Sequence, residues 1–242
     1  MLGASSRYLV PLGAGTSYLV SEADTRLLMD CGNGTSTRLA NELGAEKLSG
    51  VLVSHFHLDN VADLFPVAFS LAPGTPIVVP RKARGRISDL LRAYSMDRSW
   101  IEHARILGVG RGDEHIVGEL RLNFSKAVHG CPGVATRITA PGGASLVYLA
   151  DTGPAPWLAD FARGADLLVA HTLLLDRAPA GDIKQTNLTA GAAGRLAREA
   201  GVGRLALSHI PFYANVDESV EEAQREFGGK VVLLRENERV TI

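Results

Sequence analysis

Cysteine is scarce in this chain. Only Cys31 and Cys131 occur in 242 residues, and they form no CxxC pair. That excludes a disulfide-stapled scaffold and a cysteine-rich zinc knuckle, and both thiols are expected to be free. Long apolar runs are missing as well; none approaches the roughly 18–20 residues that a membrane helix requires. Met1 to Val20 lacks the charged start, apolar stretch and small-residue cleavage site of a secretory signal, so the expected location is the cytoplasm. Neither charge sign is in excess: 25 basic against 26 acidic residues leave a net charge of −1. This balance gives no electrostatic case for nucleic acid or a membrane surface as the main partner. Linkers, low-complexity tracts and repeats are absent too, so one domain over residues 1–242 is expected.

What is present is apolar and punctuated. Hydrophobic residues make up 46% of the chain and 26 glycines interrupt it, the pattern of an ordinary globular protein with many short elements. Arg7–Pro11, Thr16–Val20 and Arg26–Met29 read as strands, and residues 35–48 as a helix with Leu39, Ala40 and Leu43 on one face. Val51–Val53, Ile77–Val79, Leu120–Phe124, Val134–Thr139, Leu146–Leu149, Leu167–Ala170, Leu205–Leu207 and Lys230–Leu234 read as further strands. Helices are expected at 83–97 and at Thr189–Ala200, the latter stopped by Gly201. Strands and helices alternating in this way imply a layered α/β architecture with loops at strand ends free to build a site. Gly13-Ala14-Gly15-Thr16 is too short for a dinucleotide fingerprint and reads as a turn.

Seven histidines occur, and their placement carries the chemistry. His55, His57 and Asp59 alternate immediately after an apolar strand, where three side chains can be aimed into one cavity. A metal ion needs such nitrogen and oxygen donors converging at about 2.0–2.2 Å. His129, Asp151 and His209 each follow another apolar run. Singly, a histidine after a strand is more often a satisfied core or surface residue, and Asp151 could start a turn. The ordered set of six is the informative signal. His103 and His115 have no such context and are expected at the surface.

Ser54-His55-Phe56-His57-Leu58-Asp59-Asn60 resembles the metallo-β-lactamase signature HxHxDH, and Asp30-Cys31-Gly32-Asn33-Gly34 is similar to its upstream turn. His129, Tyr148-Leu149-Ala150-Asp151-Thr152 and Leu207-Ser208-His209 follow in that superfamily's order. Gly164-Ala165-Asp166-Leu167-Leu168-Val169 resembles the ribonuclease Z-like branch, which includes tRNA-processing nucleases and cyclic phosphodiesterases. The resemblance implies a four-layer αβ/βα sandwich with metal at the edge between two sheets. It implies His55, His57 and His129 as ligands of one ion, Asp151 as a bridge, and Asp59 and His209 as ligands of a second. Zinc is the implied cofactor, and a homodimer the implied assembly. The implied chemistry is hydrolysis by a metal-bound hydroxide, with Asp59 also among the catalytic groups.

Three positions depart from that pattern. Asn60 stands where a second-site histidine is usual, and an amide oxygen is a weaker zinc donor than imidazole. The second position is therefore expected to favour manganese or iron, or to stand empty. The branch's glutamate–histidine pair is replaced by His171 and Asn187. His171 is a candidate acid–base group, with Asn60 and Asn187 candidate substrate contacts, or it merely caps a strand. The segment Pro80–Glu102, with Arg81, Lys82, Arg84, Arg86, Arg92 and Arg98, reads as a solvated face or as a surface for an anionic small molecule. Tyr94, Trp100 and Trp157 either line a pocket mouth or pack in the core. The leading functional expectation is a hydrolase for a phosphodiester or related ester of a small molecule. The alternatives are a lactone or thioester hydrolase, a non-hydrolytic biosynthetic enzyme, and a non-catalytic relative with a degraded second metal site.

Overall fold

A computed structural model describes residues 1–2, 13–178 and 181–242, apart from the side chain of Asp182. The expected strand Arg7–Pro11 lies outside the described residues. Five strands form a first sheet: β1 (Tyr18–Glu22), β2 (Thr25–Met29), β3 (Gly50–Leu52), β4 (Pro76–Pro80) and β5 (Arg105–Val109), in that spatial order. β1 and β2 pair antiparallel and the rest parallel. The second sheet holds β6 (Glu114–Val117), β7 (Leu120–Lys126), β8 (Val134–Thr139), β9 (Ser145–Tyr148), β10 (Leu167–Leu174), β11 (Leu188–Thr189), β12 (Arg204–Ser208) and β13 (Lys230–Leu233). Its order is β13-β12-β10-β9-β8-β7-β6, with β11 added alongside β10. The β6–β9 meander is antiparallel, and β9, β10, β12 and β13 run parallel.

Successive strand residues face opposite ways, and here both faces are apolar. In the first sheet Leu27, Met29, Leu52 and Val78 point inward, meeting Leu122, Phe124, Ile138, Tyr148, Val169 and Ala206 of the second. Their chain neighbours Leu28, Val51, Val53, Ile77 and Val79 point outward. They are covered by α1 (Thr35–Glu42), α2 (Leu58–Val61), α3 (Leu64–Phe69) and α4 (Arg86–Ala93). Across the molecule Val147, Leu149, Leu168, Ala170, Leu205 and Leu207 face α5 (Pro156–Ala162), α7 (Ala190–Ala200) and α8 (Val216–Phe227). The short α6 (Asp182–Thr186) precedes β11. Burial on both faces explains why the parallel strands read as continuous Val and Leu runs. The layers are helix, sheet, sheet, helix, as the resemblance implied.

Local chemistry sets the boundaries. The expected helix at 35–48 ends at Glu42, because Leu43 and Gly44 both turn their amides onto the Leu39 carbonyl and Gly44 takes φ 85°. Only a single 3₁₀ turn, Ala45–Lys47, follows. The helix expected at 83–97 shrinks to α4, stopped short of Ser95 at φ 55°. α7 matches its expected span: Thr189 Oγ1 accepts from the Ala192 amide and Gly201 closes the helix at φ 62°. Asp30, Ala150 and His209 hold the left-handed backbone region (φ 59°, 53° and 61°) just past the ends of β2, β9 and β12. Such geometry is costly for residues with a Cβ, and it turns the chain sharply at one edge of the sandwich.

Leu27 is fully buried between the sheets, whereas Ile116 on β6 is 64% exposed. Leu27→Ala is expected to lower the unfolding free energy by about 2–5 kcal/mol, and Ile116→Ala by less than about 0.5 kcal/mol. Equilibrium urea unfolding monitored by circular dichroism checks both.

Candidate metal centre

The HxHxD segment leaves β3 and turns into α2, so Asp59 and Asn60 sit on one helical turn rather than on the expected loop. Backbone bonds clamp this segment. The Cys31 amide donates to the Asn60 carbonyl (2.7 Å) and the Thr16 amide to the Asp59 carbonyl (3.1 Å). The approach is so close that a Cβ on Gly32 would stand 2.3 Å from the Asp59 carbonyl oxygen. His129 is tied to the turn of Asp151 by Gly153 N–H to Val128 O (2.7 Å) and Val128 N–H to Thr152 Oγ1 (2.9 Å).

Three imidazoles converge as expected. His57 Nδ1 lies 3.2 Å from His55 Nε2 and 3.1 Å from His129 Nε2. Donors bound at about 2.0–2.1 Å to one tetrahedral ion stand about 3.3 Å apart, so this spacing already suits a cation. The outer nitrogens fix the tautomers. Ser54 Oγ donates to Asp30 Oδ2 (2.7 Å) and so accepts from His55 Nδ1 (3.0 Å), leaving the His55 Nε2 lone pair facing inward. His129 Nδ1 donates to the Thr186 carbonyl (2.8 Å), with the same result at its Nε2. Asp151 Oδ2 stands 3.6 Å from both lone pairs. Lone pairs and a carboxylate oxygen aimed at one point fit a divalent cation.

The other oxygen of Asp151 faces a second group. Oδ1 is 2.8 Å from His171 Nδ1 and 3.9 Å from His209 Nε2, and His209 Nε2 is 3.3 Å from Asp59 Oδ2. The rings of His171 and His209 stack in parallel with centroids 4.4 Å apart. All six expected metal ligands therefore meet at one sheet edge. Asn60 is fully buried beside them, its Nδ2 3.4 Å from His55 Nε2 and its Oδ1 without a hydrogen-bond partner.

Burial and mutual charge set the ionisation. Burial pushes the Asp151 carboxyl up, but His209, His171 and His55 overcome it and hold the group well below the usual carboxylate range. Burial likewise opposes ionisation of Asp59, and the His209 hydrogen bond prevails to lower it. His209 is raised, because Asp151 and Asp59 outweigh its own burial. Burial drives His55 down to about 3 and lowers His171. Behind the ligands, burial raises Asp30 to about 7 against hydrogen bonds from Tyr148 and Ser54.

Other expected positions fall elsewhere. His171 is buried with both ring nitrogens engaged inside the protein, Nε2 against Tyr18 Oη (2.9 Å) and Tyr148 Oη (3.3 Å). Asn187 donates to the Ile183 carbonyl (3.1 Å) and to Thr186 Oγ1 (3.1 Å), so the structure does not join it to His171 as a pair. Trp100 packs on Phe69, and Trp157 donates to the Lys126 carbonyl, so both serve packing. His103 is half-buried and donates to the Ala68 carbonyl (2.9 Å) instead of lying at the surface. Cys131 was not foreseen. Its Sγ lies within 4.8 Å of the donor nitrogens of His55, His57 and His129, and the Phe56 amide donates to it. Its place two residues after His129 was the available signal. Burial pushes this thiol up, and both cysteines are unpaired, as expected.

Residues 25–210 match the family described as the β-lactamase superfamily domain. The probable metallo-hydrolase YhfI of Bacillus subtilis (strain 168) is 30% identical over 229 residues, spanning 90% of this chain and 88% of that protein. The ribonuclease Z of Methanopyrus kandleri is 30% identical over 253 residues, with 88% and 87% covered. The crystal structure of YhfI, a metallo-β-lactamase fold protein, superposes with a TM-score of 0.83 at 27% identity over 97% of this chain and 94% of that one. The human short-form tRNase Z shares the fold at a TM-score of 0.77 and 17% identity, covering 99% and 97%.

Asp30 accepts from the Ser54 amide, the Ser54 hydroxyl and the Tyr148 hydroxyl, at 2.7, 2.7 and 2.6 Å. Asp30→Ala strands these buried donors and is expected to cost at least about 3 kcal/mol, read by chemical denaturation. Tyr148→Phe, which removes one of them, is expected to cost about 1 kcal/mol.

Proposed function

This chain belongs to the β-lactamase superfamily, and we propose that it is a metal-dependent hydrolase acting on a phosphodiester or related ester of a small anionic molecule. The observation that carries the reading is the meeting of three imidazoles at 3.1–3.2 Å, with inward lone pairs and the Asp151 carboxylate beside them. His55, His57 and His129 would hold one ion, Asp151 would bridge, and Asp59 with His209 would hold a second. Zinc suits the imidazole-rich position. Manganese or iron suits the more oxygen-rich second one. A divalent ion held there supplies Lewis acidity and lowers the pKa of water.

The protein's own groups do the rest. Asp59, kept ionised by His209, is half-buried beside the cluster and serves as the carboxylate that accepts a hydrogen bond or proton from the attacking water. The ring of His171 is turned into the core, which withdraws it from the substrate-facing acid–base role. Asn60 offers its unpartnered amide oxygen at the floor of the site. Arg86 is exposed on α4 within the basic segment 80–102, which supports an anionic substrate. A phosphodiester is favoured over a carbonyl substrate because the ribonuclease Z of Methanopyrus kandleri is a near relative by sequence. Unpaired thiols support a cytoplasmic setting, and no described helix is long and apolar enough to cross a membrane. The homodimer is carried over from the resemblance alone.

Turnover of bis-p-nitrophenyl phosphate, set against a panel of lactones and thioesters, tests the substrate class. His57→Ala and Asp151→Ala are each expected to lose at least about 10²-fold in kcat/KM, with folding confirmed by circular dichroism. Chelation is expected to abolish turnover and added zinc or manganese to restore it. Full activity in both variants after chelation rejects the proposal, and hydrolysis of lactones alone moves it to carbonyl chemistry.

A further inference from the structure

His171 Nδ1 belongs to a cluster of donor atoms: with a carboxylate oxygen of Asp151 and a ring nitrogen of His209 it forms a buried group whose atoms all lie within 4.8 Å of one another. Tyr18 Oη donates its proton to Ser208 Oγ (2.7 Å), and Tyr148 Oη donates its own to Asp30 Oδ2 (2.6 Å). Both phenol oxygens can then face His171 Nε2 as acceptors, which places the ring hydrogen on Nε2 when a cation takes Nδ1. His171 Nδ1 stands 2.8 Å from Asp151 Oδ1, close enough for both to take the same cation once the Nδ1 proton is displaced. The neighbours are of the right kind: His209 Nε2 lies 3.9 Å from Asp151 Oδ1, and Asp59 Oδ2 lies 3.3 Å from His209 Nε2.

Asn60 adds a second, independent observation. It occupies the position where the resemblance places a histidine for the second ion, and its buried Oδ1 has no partner. A donor has been lost from α2, and an imidazole from β10 stands 2.8 Å from Asp151. We propose that His171 is a ligand of the second metal position, supplying through Nδ1 the imidazole that Asn60 withholds, alongside Asp59, Asp151 and His209. This rests on the reading of the centre as a metal site. The Tyr18–Tyr148 pair then acts as a positioning device that fixes the tautomer of a ligand, the role that outer hydrogen-bond partners of metal-bound histidines commonly play. Ala170, the preceding residue, points to the outer helical layer, so the strand alternation aims His171 inward without a bulge in its pairing with β12.

Metal stoichiometry and affinity decide the matter without recourse to turnover. Purified protein, stripped and titrated with zinc against a competing chromophoric chelator, is expected to take two equivalents. His171→Ala is expected to keep the first and weaken the second about 100-fold or more. Asn60→His in that background is expected to restore the second. In cadmium-loaded protein, NMR is expected to show through-bond coupling between the metal and His171 Nδ1. His171→Gln, which preserves bulk and polarity, guards against a folding defect in the alanine variant. A second equivalent unchanged in both His171 variants, or wild-type protein that binds only one ion, overturns the assignment and leaves the hydrolase reading standing. Protein that binds no ion at all overturns both.

Discussion

The centre is organised around one buried carboxylate. Asp151 turns Oδ2 to His55 and His129 and Oδ1 to His171 and His209, so four imidazoles from four separate segments depend on a single side chain. An ionised carboxylate out of water is expensive unless surrounded by positive charge or hydrogen-bond donors. Here the surroundings are mostly rings whose inward nitrogens are lone pairs. His209 and His171 nevertheless hold Asp151 ionised, and divalent cations on either side of it would find that charge already in place.

Rigidity comes from the layer behind. Ser54, Asp30 and Tyr148 form a continuous buried chain from the back of His55 to the back of His171. It joins β3 and the β2 turn of the first sheet to β9 and β10 of the second, so the two halves of the sandwich are registered by hydrogen bonds as well as apolar contact. Buried networks of this kind specify one arrangement when every member is satisfied. Near the ligands they also decide which nitrogen of each ring is bare, and so what each ring is able to hold.

Much of this could be read in the chain beforehand, and what escaped has physical reasons. The central strands were visible because burial on both faces leaves uninterrupted Val and Leu runs. β5 and β6 escaped: Arg105–Val109 contains a glycine, and Glu114–Val117 is short and half polar. α8 left a signal that went unread, since Asn215 caps its first amides and Asp217 and Glu218 follow in the first turn. α2, α3 and α6 are too short to develop a helical period, and α5 spans only Pro156–Ala162. The six ligand candidates were legible as an ordered set after strands. The contact of His171 with Asp151 was not, because it depends on β9 and β10 lying side by side in register. Cys131 stayed hidden because a cysteine joining three histidines needs no second cysteine nearby.

The left-handed residues at Asp30, Ala150 and His209 have a thermodynamic corollary. Each non-glycine residue in that region costs of the order of 1–3 kcal/mol, and all three sit where strands deliver their side chains to the rim. That tension is offset by whatever the rim grips, so ion uptake and the ordering of these strand tips form a single linked equilibrium. If the rim takes metal, the melting temperature of this molecule follows the free-metal concentration around it as well as its core.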